Sequence, residues 1–261
     1  MPVLETRLDQ SVAILTMNRP DVLNAFDVPT IEAYHAAIHE AGRDPHVRAV
    51  VLTGAGNGFC AGGDVKAMRG ALEKDPQGLF ADLTKHLHAA VTALRRMPKP
   101  VVGAINGVAA GGGFGLALAC DVRIASTAAR FKPSYFRIGV VPDGGMTYFL
   151  PRLLGQARAN AITFGDMLVE AQQALEWGLV SKVVPSERLL DDAVAYARRL
   201  ANGPSFALAK AKDLLERTFE RGLEEQLDAE RADNVASAGT IDFAEGVRSF
   251  FEKREAHFTG H

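Results

Sequence analysis

Two clusters of glycine are the first residues whose spacing points to chemistry. Five lie between Gly54 and Gly63, in TGAGNGFCAGGD, and six between Gly103 and Gly115, in GAINGVAAGGGFG, out of 25 in a chain of 261 residues. Glycine is needed where the backbone takes positive φ or comes close to a ligand. Two such loops, each following an apolar run, therefore predict main-chain N–H groups gathered at one sheet edge to hold an oxyanion. The first loop also invites a dinucleotide reading, but G-x-G-x-x-G counted from Gly54 requires glycine at 59, where Phe59 stands. His35 and His39 have the i, i+4 spacing of a helical metal pair, yet no third ligand accompanies them, and no metal is expected. Cys60 sits inside the first loop without a matched base and is not expected to act as a nucleophile. Asp143, in VVPDGG, stands in a turn signature just before a helical pattern over 144–154, so by itself it reads as a turn former or helix cap.

The elements that must position these groups alternate between strand and helix in the first half of the chain, the pattern of an α/β domain with parallel sheet. Strands are predicted at 3–7, 12–17, 48–53, 101–105 and 121–125, with helices at 29–41, 77–96 and 112–120. Pro98 and Pro100 end the second helix, because proline cannot continue one. From Pro185 onward the strand signal disappears. Leu208, Leu215, Phe219, Leu223 and Leu227 fall at helical spacing, and 20 of the 58 residues from Pro204 to His261 are charged, which predicts amphipathic helices with a solvated face. Such a region often packs on a neighbouring subunit, although packing within the chain accounts for the pattern equally well.

Composition narrows the function classes. With 48% hydrophobic and 23% charged residues the chain is of globular type, and its length suits one large core or a core with a small appendage. A net charge of -2 offers no global field for nucleic acid or anionic membranes. Two cysteines fit a reducing compartment, and MPVLETRLDQ has neither the basic nor the apolar region of a secretory signal, so a cytoplasmic protein is expected. The uncharged stretch from Val101 to Cys120 has the length of a membrane span. Its six glycines, each costing a helix about 1 kcal/mol relative to alanine, argue instead for strand, glycine loop and short helix.

Taken together, LTMNRPDVLNAF, VVLTGAGNGFCAGGDVKAM, KPVVGAINGVAAGGGFGLALACDVRIAS, IGVVPDGGMTYFLPRLLG and EGVRSFFEKREAHFTG resemble the enoyl-CoA hydratase/isomerase, or crotonase, superfamily over essentially the whole chain. The resemblance implies an α/β fold of ClpP/crotonase type, with a ββα spiral core over 1–200 carrying an acyl-CoA site and a C-terminal helical trimerisation region over 201–261. It implies an acyl-CoA thioester as ligand, with no cofactor beyond the coenzyme A of the substrate, and a homotrimer or dimer of trimers with neither nucleic acid nor membrane as partner. The thioester oxygen would accept from the amides of Gly63 and Gly112. An enolate develops negative charge at that oxygen, and preorganised donors near a helix N-terminus stabilise it more than the ground-state carbonyl. Coenzyme A contacts are implied at Val22, Leu23, Ala61, Gly63, Asp64, Val65, Lys66 and Gly112, and at Lys253 toward a neighbouring subunit.

Hydratases of this superfamily hold water between two glutamates. The matching positions here carry Gly115 and Tyr135, neither of which can serve as a carboxylate base, so hydration is disfavoured. Asp143 matches the aspartate of the isomerases, and the chain looks most like the ring-opening 2-(1,2-epoxy-1,2-dihydrophenyl)acetyl-CoA isomerases. One carboxylate suffices there: Asp143 would remove a proton α or γ to the thioester and return it to another carbon, with Tyr135 and His88 shaping the pocket. A second implication comes from 4-chlorobenzoyl-CoA dehalogenases, which are similar at His88 and Asp143 but have tryptophan at the Tyr135 position. There the aspartate is a nucleophile and the histidine activates water. A binding paralogue without chemistry is the third.

Overall fold

The structure is a computed structural model that describes residues 2–261. A hairpin of β1 (Leu4–Asp9) and β2 (Val12–Met17) leads into α1 (Val28–Arg43), whose N-cap Asp27 accepts from the Thr30 amide. A strand–strand–helix unit then repeats three times. The first contains β3 (Ala49–Gly54), β4 (Gly58–Cys60), α2 (Val65–Ala71) and α3 (Pro76–Arg96). The second contains β5 (Val101–Ile105), β6 (Val108–Ala110) and α4 (Gly112–Ala119), and the third β7 (Val122–Ser126), β8 (Arg130–Lys132) and α5 (Met146–Leu154). Next come α6 (Gln156–Phe164), β9 (Val169–Glu170), α7 (Ala171–Glu176), β10 (Lys182–Val184) and α8 (Leu189–Ala201). Helices α9 (Ser205–Glu216), α10 (Leu223–Ala238) and α11 (Ile241–Glu252) complete the chain.

The first strand of each unit joins a sheet ordered β1-β2-β3-β5-β7-β10, parallel except for the β1–β2 hairpin. The second strand joins a smaller sheet ordered β4-β6-β8-β9, in which β4, β6 and β8 run parallel. The chain thus spirals between two sheets, each unit displaced by one strand from the last. Strand β3 is buried on both faces: Val50 and Leu52 face the main core, while Ala49 and Val51 face a second core closed by Leu189, Ala193 and Ala197 of α8. That two-sided burial is why its sequence is continuously apolar rather than alternating.

The five predicted strands are present as β1, β2, β3, β5 and β7 and the three predicted helices as α1, α3 and α4, with ends shifted by two residues at most, while α2 was not predicted. The strands at 58–60, 108–110, 130–132, 169–170 and 182–184 carried no sequence signal, being too short to show a period of two. They exist because the second sheet and the edge of the first satisfy their backbone groups. The stretch from Val101 to Cys120 divides into β5, β6 and α4, and no helix among the described residues is long and apolar enough to cross a membrane. Helix α4 is apolar all round because every one of its residues is buried.

Helix α9 is tied to the core by charge. Asp121 accepts from Arg95 at 3.0 Å and Lys212 at 2.8 Å, while Glu216 pairs with the Arg95 guanidinium. Further along, Leu215, Leu223, Phe250 and Phe251 are largely exposed, the last two at 79% and 78%.

Candidate functional site

Strands β4, β6 and β8 end side by side, and each runs straight into a segment that the sequence singled out: 61–63, 111–112 and 133–135. The carboxyl ends of parallel strands are where α/β folds place ligands. The two glycine loops meet backbone to backbone. A Cβ on Gly62, at φ +89°, would fall 2.8 Å from Ala110 O and 3.1 Å from Gly112 N. One on Gly113 would fall 2.0 Å from Cys60 O. No residue with a side chain could replace either without separating the loops.

The two predicted amide donors stand at this junction. Phe26 brackets Gly63, its N–H donating to Gly62 O and its carbonyl accepting from Asp64 N–H, both at 2.8 Å. That pairing uses the groups on either side of Gly63 and turns the Gly63 amide to the opposite side of the strand. Gly112 is the first residue of α4, so its N–H has no intrahelical acceptor and lies at the positive end of the helix dipole.

The segment before the first loop is braced by two residues the sequence did not reveal. Asn24, fully buried at φ +59°, donates to Ala55 O and Gly58 O and accepts from the Arg19 amide. The Arg19 guanidinium donates to Ala25 O at 2.7 Å and Asp64 Oδ2 at 3.2 Å. Val22 and Leu23 are thereby set beside Ala61, whose N–H donates to Leu23 O. Asp64 caps α2 by accepting from the Lys66 amide, leaving Val65 and Lys66 exposed. Lys253 ends α11 in a left-handed conformation, exposed, its N–H donating to Phe250 O and Ser249 O. A local signal for Asn24 existed, since asparagine tolerates positive φ; none existed for the Arg19–Asp64 pair, 45 residues apart.

Asp143 departs from its turn-and-cap reading. The turn is there, with Asp143 O accepting from Met146 N–H, and Gly144 and Gly145 at positive φ delay the helix start to Met146. The side chain caps nothing. Its Oδ1 instead accepts a 2.6 Å hydrogen bond from Tyr135 Oη, which also reaches Asp143 O at 3.2 Å. Burial raises the Asp143 pKa above the ordinary carboxylate range, opposed by the Tyr135 hydrogen bond and by the charge of His88 on α3. Burial, and then the Asp143 charge, push the Tyr135 hydroxyl up as well, so it remains a donor. His88 is exposed on its helix and makes no hydrogen bond to Asp143 among the described residues. Tyr135 and Asp143 are thus directly joined, and His88 acts on Asp143 only through its charge. Apolar side chains surround the group: Leu87 and Phe26 lie against Gly112, Met68 against Gly63, and Leu87 against Gly144.

Burial pushes the Cys60 thiol up to about 12, which leaves it protonated and a poor nucleophile. His35 and His39 have their ring centroids 6.2 Å apart, and the fold brings His86 of α3 to 6.4 Å from His35. Even so, the described residues include no group of three side chains placed to hold a metal.

Comparison with known proteins follows the same lines. The family model described as enoyl-CoA hydratase/isomerase matches residues 7–261. A 1,2-epoxyphenylacetyl-CoA isomerase of Escherichia coli is 38% identical over 100% of this chain and 99% of its own length. A protein of Rhodobacter capsulatus named probable enoyl-CoA hydratase is 37% identical over 97% of this chain and 96% of its own. Among solved structures, a protein of Mycobacterium abscessus described as a putative enoyl-CoA hydratase/isomerase superposes with a TM-score of 0.95 at 35% identity, covering 99% of this chain and 100% of that one.

Proposed function

The chain belongs to the enoyl-CoA hydratase/isomerase family, with the crotonase fold, and from that premise we propose that it is an acyl-CoA isomerase in which Asp143 moves a proton between carbons of the bound acyl group. The observation that carries this reading is the hydrogen bond from Tyr135 to Asp143: a half-buried carboxylate of raised pKa, held by one oxygen, with the other oxygen left to work as a base. A single base is what isomerisation needs. The Gly115 and Tyr135 positions lack the pair of carboxylates that would activate water and protonate C2.

The step balances on one residue. Asp143 takes a proton from the carbon α or γ to the thioester, and the C–H electron pair flows into a dienolate whose oxygen accepts from the Gly63 and Gly112 amides. The protonated carboxyl returns the proton to the other end of the dienolate, the carbonyl re-forms and the double bond has moved. In an epoxide substrate the same enolate electron pair opens the adjacent C–O bond, and the protonated carboxyl gives its proton to the oxygen released. Each amide is worth a few kcal/mol of transition-state stabilisation, on the order of 10²- to 10³-fold in rate. Val22, Leu23, Ala61 and the 63–66 segment would carry coenzyme A, and Lys253 would reach the ligand of a neighbouring subunit in a homotrimer or dimer of trimers.

The test is a mass-resolved assay of the purified protein with 3-enoyl-CoA, 2-enoyl-CoA and 4-chlorobenzoyl-CoA in D2O, beside Asp143→Asn. Deuterium incorporation with 3-to-2 double-bond migration, lost in the variant, is the expected result. Hydration insensitive to the substitution overturns the assignment of Asp143. Chloride release, with a covalent intermediate accumulating in His88→Ala, replaces the isomerase by the hydrolytic reading, and tight thioester binding without turnover replaces it by a binding paralogue.

A further inference from the structure

Gly115 is more than a position at which a carboxylate is missing. A Cβ built on it would fall 2.5 Å from Gly144 O and 3.0 Å from both the carbonyl carbon and the Cα of Gly144. Main chain, rather than a mobile side chain, fills that space. From the other side, a Cβ on Gly144 would fall 3.4 Å from Gly115 Cα and 3.7 Å from Gly112 Cα. Gly112 and Gly115 lie one helical turn apart on the same face of α4. The turn that carries Asp143 therefore rests on the bare backbone of α4, over the helical turn whose first amide is that of Gly112.

We propose that the contact between Gly115 and Gly144 determines the type of reaction: it seats the Asp143 turn on α4 beside the Gly112 amide, and it occupies with backbone the volume that a second carboxylate at 115 would need. Gly115 and Gly144 are positioning residues, acting through Asp143, and the inference rests on the reading of Asp143 as the base. Two consequences follow from the geometry. Any side chain at 115 must lift the turn off the helix and carry Asp143 away from the carbon next to the polarised carbonyl. Placing glutamates at both 115 and 135 does not create a water site, because the first has no room unless the turn is expelled.

Three variants of the full chain test this: Gly115→Ala, Gly144→Ala, and the double substitution Gly115→Glu with Tyr135→Glu. Displacing a reacting group by about 1 Å costs on the order of 10²-fold. Gly115→Ala is expected to lower kcat for double-bond migration by roughly that factor while KM stays within a few-fold, and to shift the acid limb of the pH profile as the Tyr135–Asp143 contact is disturbed. A purely structural defect would instead reduce the active fraction and leave that limb in place. Gly144→Ala, whose Cβ would meet Leu87 Cδ2 at 3.3 Å and Gly115 Cα at 3.4 Å and which places a side chain at φ +59°, is expected to show a loss in the same direction, and it keeps the proposal testable if Gly115→Ala does not fold. The double variant is expected to add no water to 2-enoyl-CoA while still binding the thioester. Hydration by the double variant, or parental kcat and pH profile in Gly115→Ala, overturns the proposal. Asp143→Asn run in parallel separates the two failures. If it retains isomerase activity, the base assignment fails; if it loses activity while Gly115→Ala does not, only the present inference fails.

Discussion

Tyr135 Oη lies 2.6 Å from Asp143 Oδ1 and donates to it, eight positions along the chain and just before the turn at Gly144 and Gly145. Removing the hydroxyl removes a bond that favours the ionised carboxylate. Because burial already holds the Asp143 pKa above its ordinary value near 3.9, and a base works only when ionised, activity should fall on acidification at a pH above that of a free aspartate. In Tyr135→Phe the limb should move further up. The pH dependence of kcat/KM for both proteins checks this, and an unmoved or lowered limb would show that Tyr135 does not hold the base.

The same shift has a stability sign. A carboxyl whose folded pKa exceeds its unfolded value binds its proton more tightly in the native state, so it withdraws stability as pH rises from the unfolded pKa through the folded one. The cost grows above the unfolded pKa and is complete only above the folded one. Asp143→Asn, which keeps the shape without the charge, should melt no lower than the parent at pH 7 although it is inactive. Thermal unfolding at pH 7 reads this out, and a markedly lower Tm would mean that the carboxylate is structural.

The two amide loops should differ in tolerance. A Cβ at Gly112 would fall 2.8 Å from both Leu87 Cδ2 and Phe26 Cζ, in a packed setting where the amide must move. At Gly63 it would meet only the Met68 methyl, the end of a flexible side chain. Gly112→Ala should therefore lose about 10²-fold in kcat and Gly63→Ala less than about tenfold. Steady-state kinetics on the two variants decide it, and the reverse order would misplace the tighter donor.

The exposed aromatic pair Phe250 and Phe251 on α11, like Leu215 and Leu223 elsewhere in the helical region, leaves apolar surface that an assembly would cover. Phe250→Glu with Phe251→Glu should convert a trimer into smaller species at micromolar concentration, as native mass spectrometry would register. A parent chain that is monomeric at the same concentration contradicts the assembly expected for it.

Much of this protein was legible in its residues because the determinants are local. Glycines needed for positive φ, as at Gly62 and Gly111, mark both amide loops. Apolar runs bounded by turns mark the long strands, and the residues at 115 and 135 show that the pair of glutamates is absent. Tertiary structure decided the rest. The three-residue strands β4, β6 and β8 are strands only because they pair with one another, and through that pairing three distant segments end together. Whether Asp143 caps a helix or meets Tyr135 depends on where the third unit of the spiral sets its loop. That Gly115 is filled by the backbone of Gly144 depends on how closely two elements approach, 29 residues apart in the chain. Spacing and composition report what a segment can do alone; close packing between segments decides which of those capacities the folded protein uses.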